Sequence, residues 1–223
     1  METVQGAGMP WSGTAWEAAE PVYRRILEHP FVRELSDGSL PHGKFIYYIE
    51  QDALYLKEFG RSMAAAAARF TDPSAMSLFL HFATDNLAAE KSLHESFLGA
   101  GAGTASASPV CLLCSSHLWK QVTSSSVEVA LAAVLPCFSV YGKVGMHIFR
   151  TAVLDGNPYR GWIETYADGG FSGSTGQLMD LCDRFADNAS PGIREEMTEA
   201  FVTGVKLEWM FWDSAYGREQ WRI

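Results

Sequence analysis

Apolar side chains recur at intervals of three and four residues along most of this chain, the spacing that lines one face of an α-helix. Stretches with that pattern run over about Trp11–Glu28, Pro41–Phe70, Ser74–Leu98, Pro109–Ser124, Val127–Leu154, Tyr159–Asn188 and Pro191–Gly217. Their ends carry residues that start or stop helices. His29-Pro30 closes the first, because a residue before proline avoids helical torsions. Pro41 suits a first helical turn, and Ser190-Pro191 opens the last helix. Ser36-Asp37-Gly38 and Asp72-Pro73 read as turns, and GAGAGTASAS at 99–108 is the clearest loop. The two-residue alternation of a half-buried strand is absent, as is any internal repeat. The pattern predicts an all-α bundle in one domain, residues 14–223, preceded by a flexible Gly-rich segment at 1–13.

Three of the apolar stripes are interrupted by chemistry. The second long helix reads Phe45, Ile49, Asp52, Leu56, Phe59, Met63, with a carboxylate where a hydrophobe belongs. The last reads Phe201, Val205, Glu208, Trp212, Ala215, so a second carboxylate intrudes. The Val127–Leu154 helix reads Ala130, Val134, Cys137, Tyr141, Val144, Ile148. Burying a carboxylate is costly unless it finds a partner or gains a proton. Two on inward faces suggest a polar cavity within the bundle, where helical proteins build their sites. The alternative is ion pairing, of Asp52 with Lys57 or an arginine, and of Glu208 with Lys206 or Arg194. Cys137 also follows Pro136 in mid-helix, where the missing N–H and the ring predict a kink. By itself a buried cysteine is an inert small hydrophobe, and a reactive one needs an activating environment.

Composition narrows the classes. The chain has 223 residues, 48% of them hydrophobic, enough for one sizeable core. A net charge of −9, with 17 basic residues scattered along the chain, argues against nucleic-acid and anionic-membrane partners. Four cysteines (Cys111, Cys114, Cys137, Cys182) make no disulfide framework at this length. The first residues lack a basic start and an apolar run, and no stretch reads as the roughly 20 apolar residues of a membrane span. A reducing, cytoplasmic setting is the expectation.

FIYYIEQDALYL (45–56), AAEKSLH (88–94), VLPCFSVYGKVG (134–145), WIETYADGGF (162–171) and VKLEWMFWDSAY (205–216) resemble, in order and spacing, the successive signatures of the TenA (thiaminase II) family. HPFVRELSDGSLP (29–41) resembles its lead-in, and the likeness extends from about Ala15 to Trp221. It implies a haem-oxygenase-like multi-helix bundle, assembled as a homotetramer and working without cofactor or metal. The implied activity is hydrolysis of 4-amino-5-aminomethyl-2-methylpyrimidine to the hydroxymethyl pyrimidine in thiamin salvage, with thiamin cleavage as a slower second activity. The resemblance places the nucleophile at Cys137, the acid/base at Glu208 and the pyrimidine-holding carboxylate at Asp52. Tyr55, Tyr141 and Tyr166 fall on pocket tyrosines, and Phe211 on an aromatic position near the substrate. Cys114 departs from the pattern, standing where many members have tyrosine.

Other readings compete. Glu90-x-x-x-His94 puts two metal ligands on one helical face, as a di-iron oxidase would need. No matching second pair exists, since Ser77, Leu113 and Lys143 stand four residues before His81, His117 and His147. His29 is either an axial haem ligand or a helix cap. Cys111-x-x-Cys114-x-x-His117 is either three ligands of a zinc site that lacks its fourth or packing residues at helical spacing. A pyrimidine-binding regulatory protein that no longer turns over is the alternative from a different class.

Overall fold

The computed structural model describes residues 9–98, 105–165 and 170–222, without the side chains of 89, 90, 92–95 and 170–172. The described residues form helices and no strand. In chain order these are α1 (Trp11–Leu27), α2 (Pro30–Asp37), α3 (His42–Ala67), α4 (Pro73–Leu93) with a π-helical turn at His94–Leu98, α5 (Pro109–Ser124), α6 (Val127–Thr151), α7 (Arg160–Glu164), α8 (Gly170–Asn188) and α9 (Pro191–Gly217).

Serines cap three of the long helices. The hydroxyls of Ser108, Ser126 and Ser190 accept from the backbone N–H of Cys111, Val129 and Ile193, satisfying donors that the first turn leaves free. Proline fills the first position of α5 and α9, where its missing N–H costs nothing. The structure differs from the sequence reading at three places. The 30–37 segment is a helix of its own, capped by His29 and ended by Gly38 at φ +81, a conformation that favours glycine. Pro41 lies just outside α3 as its N-cap residue. The single helix expected over Tyr159–Asn188 is divided into α7 and α8.

α6 is the central helix, packed against α2, α5, α8 and α9, while α3 packs against α4, α5 and α9. By length and composition α6 could cross a membrane, with a mean hydropathy of 1.6 over its most apolar window, which corrects the sequence reading on that point. Of that window 72% is buried inside the fold, as befits a core helix. Inside the bundle Tyr48 stacks on Trp212 at 5.0 Å between ring centroids and 12° between planes. Phe31 and Tyr141 approach the same indole at 5.2 and 5.4 Å. Such pairs contribute beyond the area they bury and fix how α2, α3, α6 and α9 register on one another.

The register of α6 on α9 rests on a close approach. A Cβ added at Gly204 would stand 2.5 Å from Cγ and 3.0 Å from Cβ of Pro136. Both are rigidly held, so Gly204→Ala must push the two helices apart. Overpacking of this kind costs about 1–3 kcal/mol, against about 1 kcal/mol that alanine gains over glycine in a helix. The expected result is a lowered denaturation midpoint together with impaired activity, because Cys137 and Glu208 ride on the two helices that separate. An unchanged urea midpoint would mean that the contact is slack.

Candidate active site

Four helices meet around one cleft of about 390 Å³, its mouth included. α3 contributes Tyr55. α5 contributes Cys114, His117 and Leu118. From α6 come Ala133, Pro136, Cys137 and Tyr141, and from α9 come Gly204, Leu207, Glu208 and Phe211. The spacing explains the set, since positions 133, 137 and 141 of α6 and 204, 208 and 211 of α9 each lie on one helical face.

Of the residues singled out in the sequence, Tyr55, Cys137, Tyr141, Glu208 and Phe211 line this cleft. Asp52, one turn before Tyr55, is not on the lining, but its charge raises the pKa of both Cys137 and Glu208. Tyr166 lies outside the described residues, as do the side chains of Glu90 and His94. Phe211 stands 6.0 Å from the Tyr55 ring, giving the cleft an aromatic wall.

Asp52 and Glu208 are 7% and 8% exposed, and among the described residues neither is ion-paired. Lys57 and Lys206 point to solvent, and Arg194 donates to the carbonyls of Ala186 and Ala189 instead. The ion-pairing alternative therefore does not describe these carboxylates. Burial without a cation disfavours the charged form. It lifts Asp52 to about 7, and it lifts Glu208 to about 8 with further help from the charge of Asp52. The same causes push the Cys137 thiol well above its ordinary value: burial first, then Glu208, then Asp52. A hydrogen bond from the Tyr55 hydroxyl works in the opposite direction. At pH 7 the ligand-free cleft thus holds a protonated Glu208, thiol and phenol, with Asp52 near the midpoint of its titration.

Such an array suits a cationic, flat, apolar-faced ligand. A cationic ligand offsets the penalty that burial puts on an ionised Asp52, while Glu208, the weaker acid of the two, keeps its proton.

Sequence reasoning passed over His117, Leu118, Ala133, Gly204 and Leu207 as lining residues. The Cys111-x-x-Cys114-x-x-His117 spacing does not gather three ligands. Cys111 Sγ faces the carbonyl of Gln51 at 3.5 Å, whereas Cys114 and His117 face the cleft. Among the described residues no group of three or more His, Cys, Asp or Glu side chains is placed to hold a metal ion. His29 is a helix cap: Nδ1 accepts from the N–H of Phe31, and Nε2 meets Asp213 at 3.3 Å.

Comparison with known proteins agrees with this architecture. The family model described as TENA/THI-4/PQQC matches residues 16–218. The chain is 31% identical to the aminopyrimidine aminohydrolase of Bacillus subtilis (strain 168), covering 96% of this chain and 92% of that protein. It is 30% identical to the aminopyrimidine aminohydrolase of Halalkalibacterium halodurans, covering 96% and 98%. It is also 29% identical to the thiamine biosynthesis multifunctional protein ThiED of Corynebacterium efficiens, spanning 95% of this chain but only 29% of that longer protein. Among solved structures, a TenA homologue from Pyrococcus furiosus superposes with a TM-score of 0.86 at 17% identity, covering 92% of this chain and 99% of that one. A Shewanella denitrificans domain with a haem-oxygenase-like fold gives 0.73 at 14% identity, covering 92% and 91%. The fold is haem-oxygenase-like, and with a family match over nearly its whole length the chain belongs to the TENA/THI-4/PQQC family.

Proposed function

We propose that this protein is an aminopyrimidine aminohydrolase of thiamin salvage. It replaces the exocyclic amine of 4-amino-5-aminomethyl-2-methylpyrimidine by hydroxyl and releases ammonia, with thiamin as a slower second substrate. The observation that carries this reading is the meeting of a thiol on α6 and an unpaired buried carboxyl on α9 in one aromatic-walled cleft. The names of the Bacillus and Halalkalibacterium relatives support it.

Each group has a role that fits its environment. Asp52 accepts hydrogen bonds from the ring amino group and a protonated ring nitrogen, which orients the ring and draws electron density out of it. Cys137 passes its thiol proton to the ring nitrogen that Asp52 holds and adds to the electron-poor ring, and the electron pair so supplied expels the exocyclic amine. Glu208 holds a proton at neutral pH, gives it to the departing nitrogen, and then takes one from the water that adds to the methylene. As that water adds, the ring–sulfur bond breaks and the sulfur takes its proton back from the ring nitrogen. Atoms balance as aminomethyl pyrimidine plus water to hydroxymethyl pyrimidine plus ammonia. Tyr55 steadies the sulfur through its hydroxyl. Tyr141 and Phe211 complete the aromatic surround.

The test is steady-state turnover of the aminomethyl pyrimidine and of thiamin by purified protein, followed by ammonia release and chromatography of the pyrimidine product. Conversion of the first faster than the second is the expected result. Tight binding of the hydroxymethyl pyrimidine with turnover of neither would identify a regulatory binding protein instead.

A further inference from the structure

The cleft has two ends, and inter-helix contacts fix which residues stand at each. α5 and α9 run antiparallel. The N–H of Val110 donates to the Glu219 carboxylate at 3.0 Å, while Cys114 Sγ meets the carbonyl of Leu207 at 3.8 Å. One turn beyond Cys114, His117 comes level with Gly204, where α9 closes on Pro136 of α6. Asp52 belongs to the opposite end, since its neighbour Gln51 meets Cys111 Sγ at 3.5 Å. The order is therefore Asp52, behind the lining at one end, then Cys137 with Glu208, then His117 at the other end.

His117 is the conspicuous polar group at its end. Its Nε2 is fully buried, and no protein group among the described residues hydrogen-bonds it. Leaving a buried polar atom unpaired is expensive unless something that enters the cleft satisfies it. Burial, and behind it Lys120, lowers the imidazole pKa and keeps the ring neutral at pH 7. A neutral imidazole nitrogen can donate or accept according to its tautomer.

Resting on the function proposed above, we propose that Nε2 of His117 hydrogen-bonds the exocyclic group that leaves the pyrimidine, and so sets which leaving groups are accepted. The order of residues carries the assignment. With the ring edge on Asp52 and the reacting carbon beside Cys137 and Glu208, the substituent that departs extends toward His117. Cys114, one turn before His117, widens the approach to this end, because a thiol occupies less space than an aromatic side chain. A small, N–H-bearing leaving group gains a polar partner there, at a position where a site built to hydrogen-bond discriminates strongly.

The experiment compares parent, His117→Ala and His117→Leu proteins, the latter filling the volume without a polar atom. Each is assayed for kcat/KM on the aminomethyl pyrimidine and for inhibition by 4-amino-2,5-dimethylpyrimidine, which lacks any leaving group. Loss of one hydrogen bond predicts about a tenfold fall in kcat/KM with inhibitor binding held within about twofold. His117→Gln, whose amide nitrogen can take the place of Nε2, is expected to recover most of the loss. Equal weakening of substrate and inhibitor, or unaltered kcat/KM in both the Ala and Leu variants, overturns the assignment to His117 while leaving the aminohydrolase reading standing. A parent protein that turns over no aminopyrimidine overturns both.

Discussion

Cys137→Ala should abolish hydrolysis of the aminomethyl pyrimidine, lowering kcat by at least about 10³-fold, as loss of a covalent nucleophile does elsewhere. The protein should remain folded. Cys137 is only partly buried and lines the cleft, so removing its sulfur leaves no sealed cavity. Affinity for the hydroxymethyl product should survive, because Asp52 and the aromatic wall are untouched. Cys137→Ser should be nearly as inactive, since an alcohol is a far weaker acid than a thiol and neither carboxyl is a base strong enough to make it a nucleophile. Cys182→Ala is the control. That thiol is fully buried, lines no part of the cleft, and should leave turnover unchanged. The measurement is kcat together with calorimetric binding of the product. Residual turnover in Cys137→Ala within about tenfold of the parent would mean that Glu208 directs water at the methylene without a covalent step, since acid–base catalysis alone supplies about 10²–10⁴-fold.

Why these three residues were legible in the sequence, and others were not, follows from what a helical pattern can encode. Asp52, Cys137 and Glu208 each occupy an inward position of a long apolar stripe, and an inward carboxylate is conspicuous because burying it costs so much. His117 gave no such signal. At three-residue spacing from Cys114 it fits a packing face as well as a site, and only the placement of α5 against α6 and α9 turns it toward the cleft. Gly204 carries no signal of its own in the sequence, because its meaning lies in the Pro136 ring packed against it. Periodicity gives the face of each helix but not the register between helices, so it could not choose between ion pairing and solitude for the two carboxylates. α2 escaped notice for another reason. Eight residues between a proline and a glycine hold barely two turns of periodicity, and their helix is stabilised by Phe31, Val32 and Leu35 packing into the core rather than by local propensity. The resemblance to a known family supplied the roles that periodicity alone left open.

Glu208→Gln should separate stability from activity, and its pH dependence should identify the buried proton. The folded protein holds the Glu208 carboxyl at about 8, far above the ordinary carboxylate value of 4.5, through burial and then the charge of Asp52. A raised pKa on an acid means that the folded state keeps its proton while the unfolded state gives it up. Below about pH 4.5 both states are protonated and there is no penalty. Between there and about 8 the unfolded chain alone ionises, so stability falls as pH rises, and above about 8 the loss levels off. Asp52, raised from 3.8 to about 7, adds a loss of the same sign. Glutamine matches the shape of the neutral acid and cannot ionise. The variant should therefore resemble the parent in stability near pH 5 but exceed it by a few kcal/mol at pH 8, since every tenfold change in an ionisation constant is worth about 1.4 kcal/mol. Over the same range its turnover should be lower by about 10²–10⁴-fold, because the amide can neither protonate the departing amine nor deprotonate water. The parent's kcat/KM should decline as pH rises through about 8, where the acid form is lost, and the residual rate of the variant should lack that limb. Urea midpoints at pH 5 and pH 8, with kcat/KM across the same interval, decide the matter. A gain in stability equal at both pH values would show that the glutamine merely packs better. No gain at either would show that Glu208 is already ionised in the folded protein, and its role as the acid would then have to pass to another group.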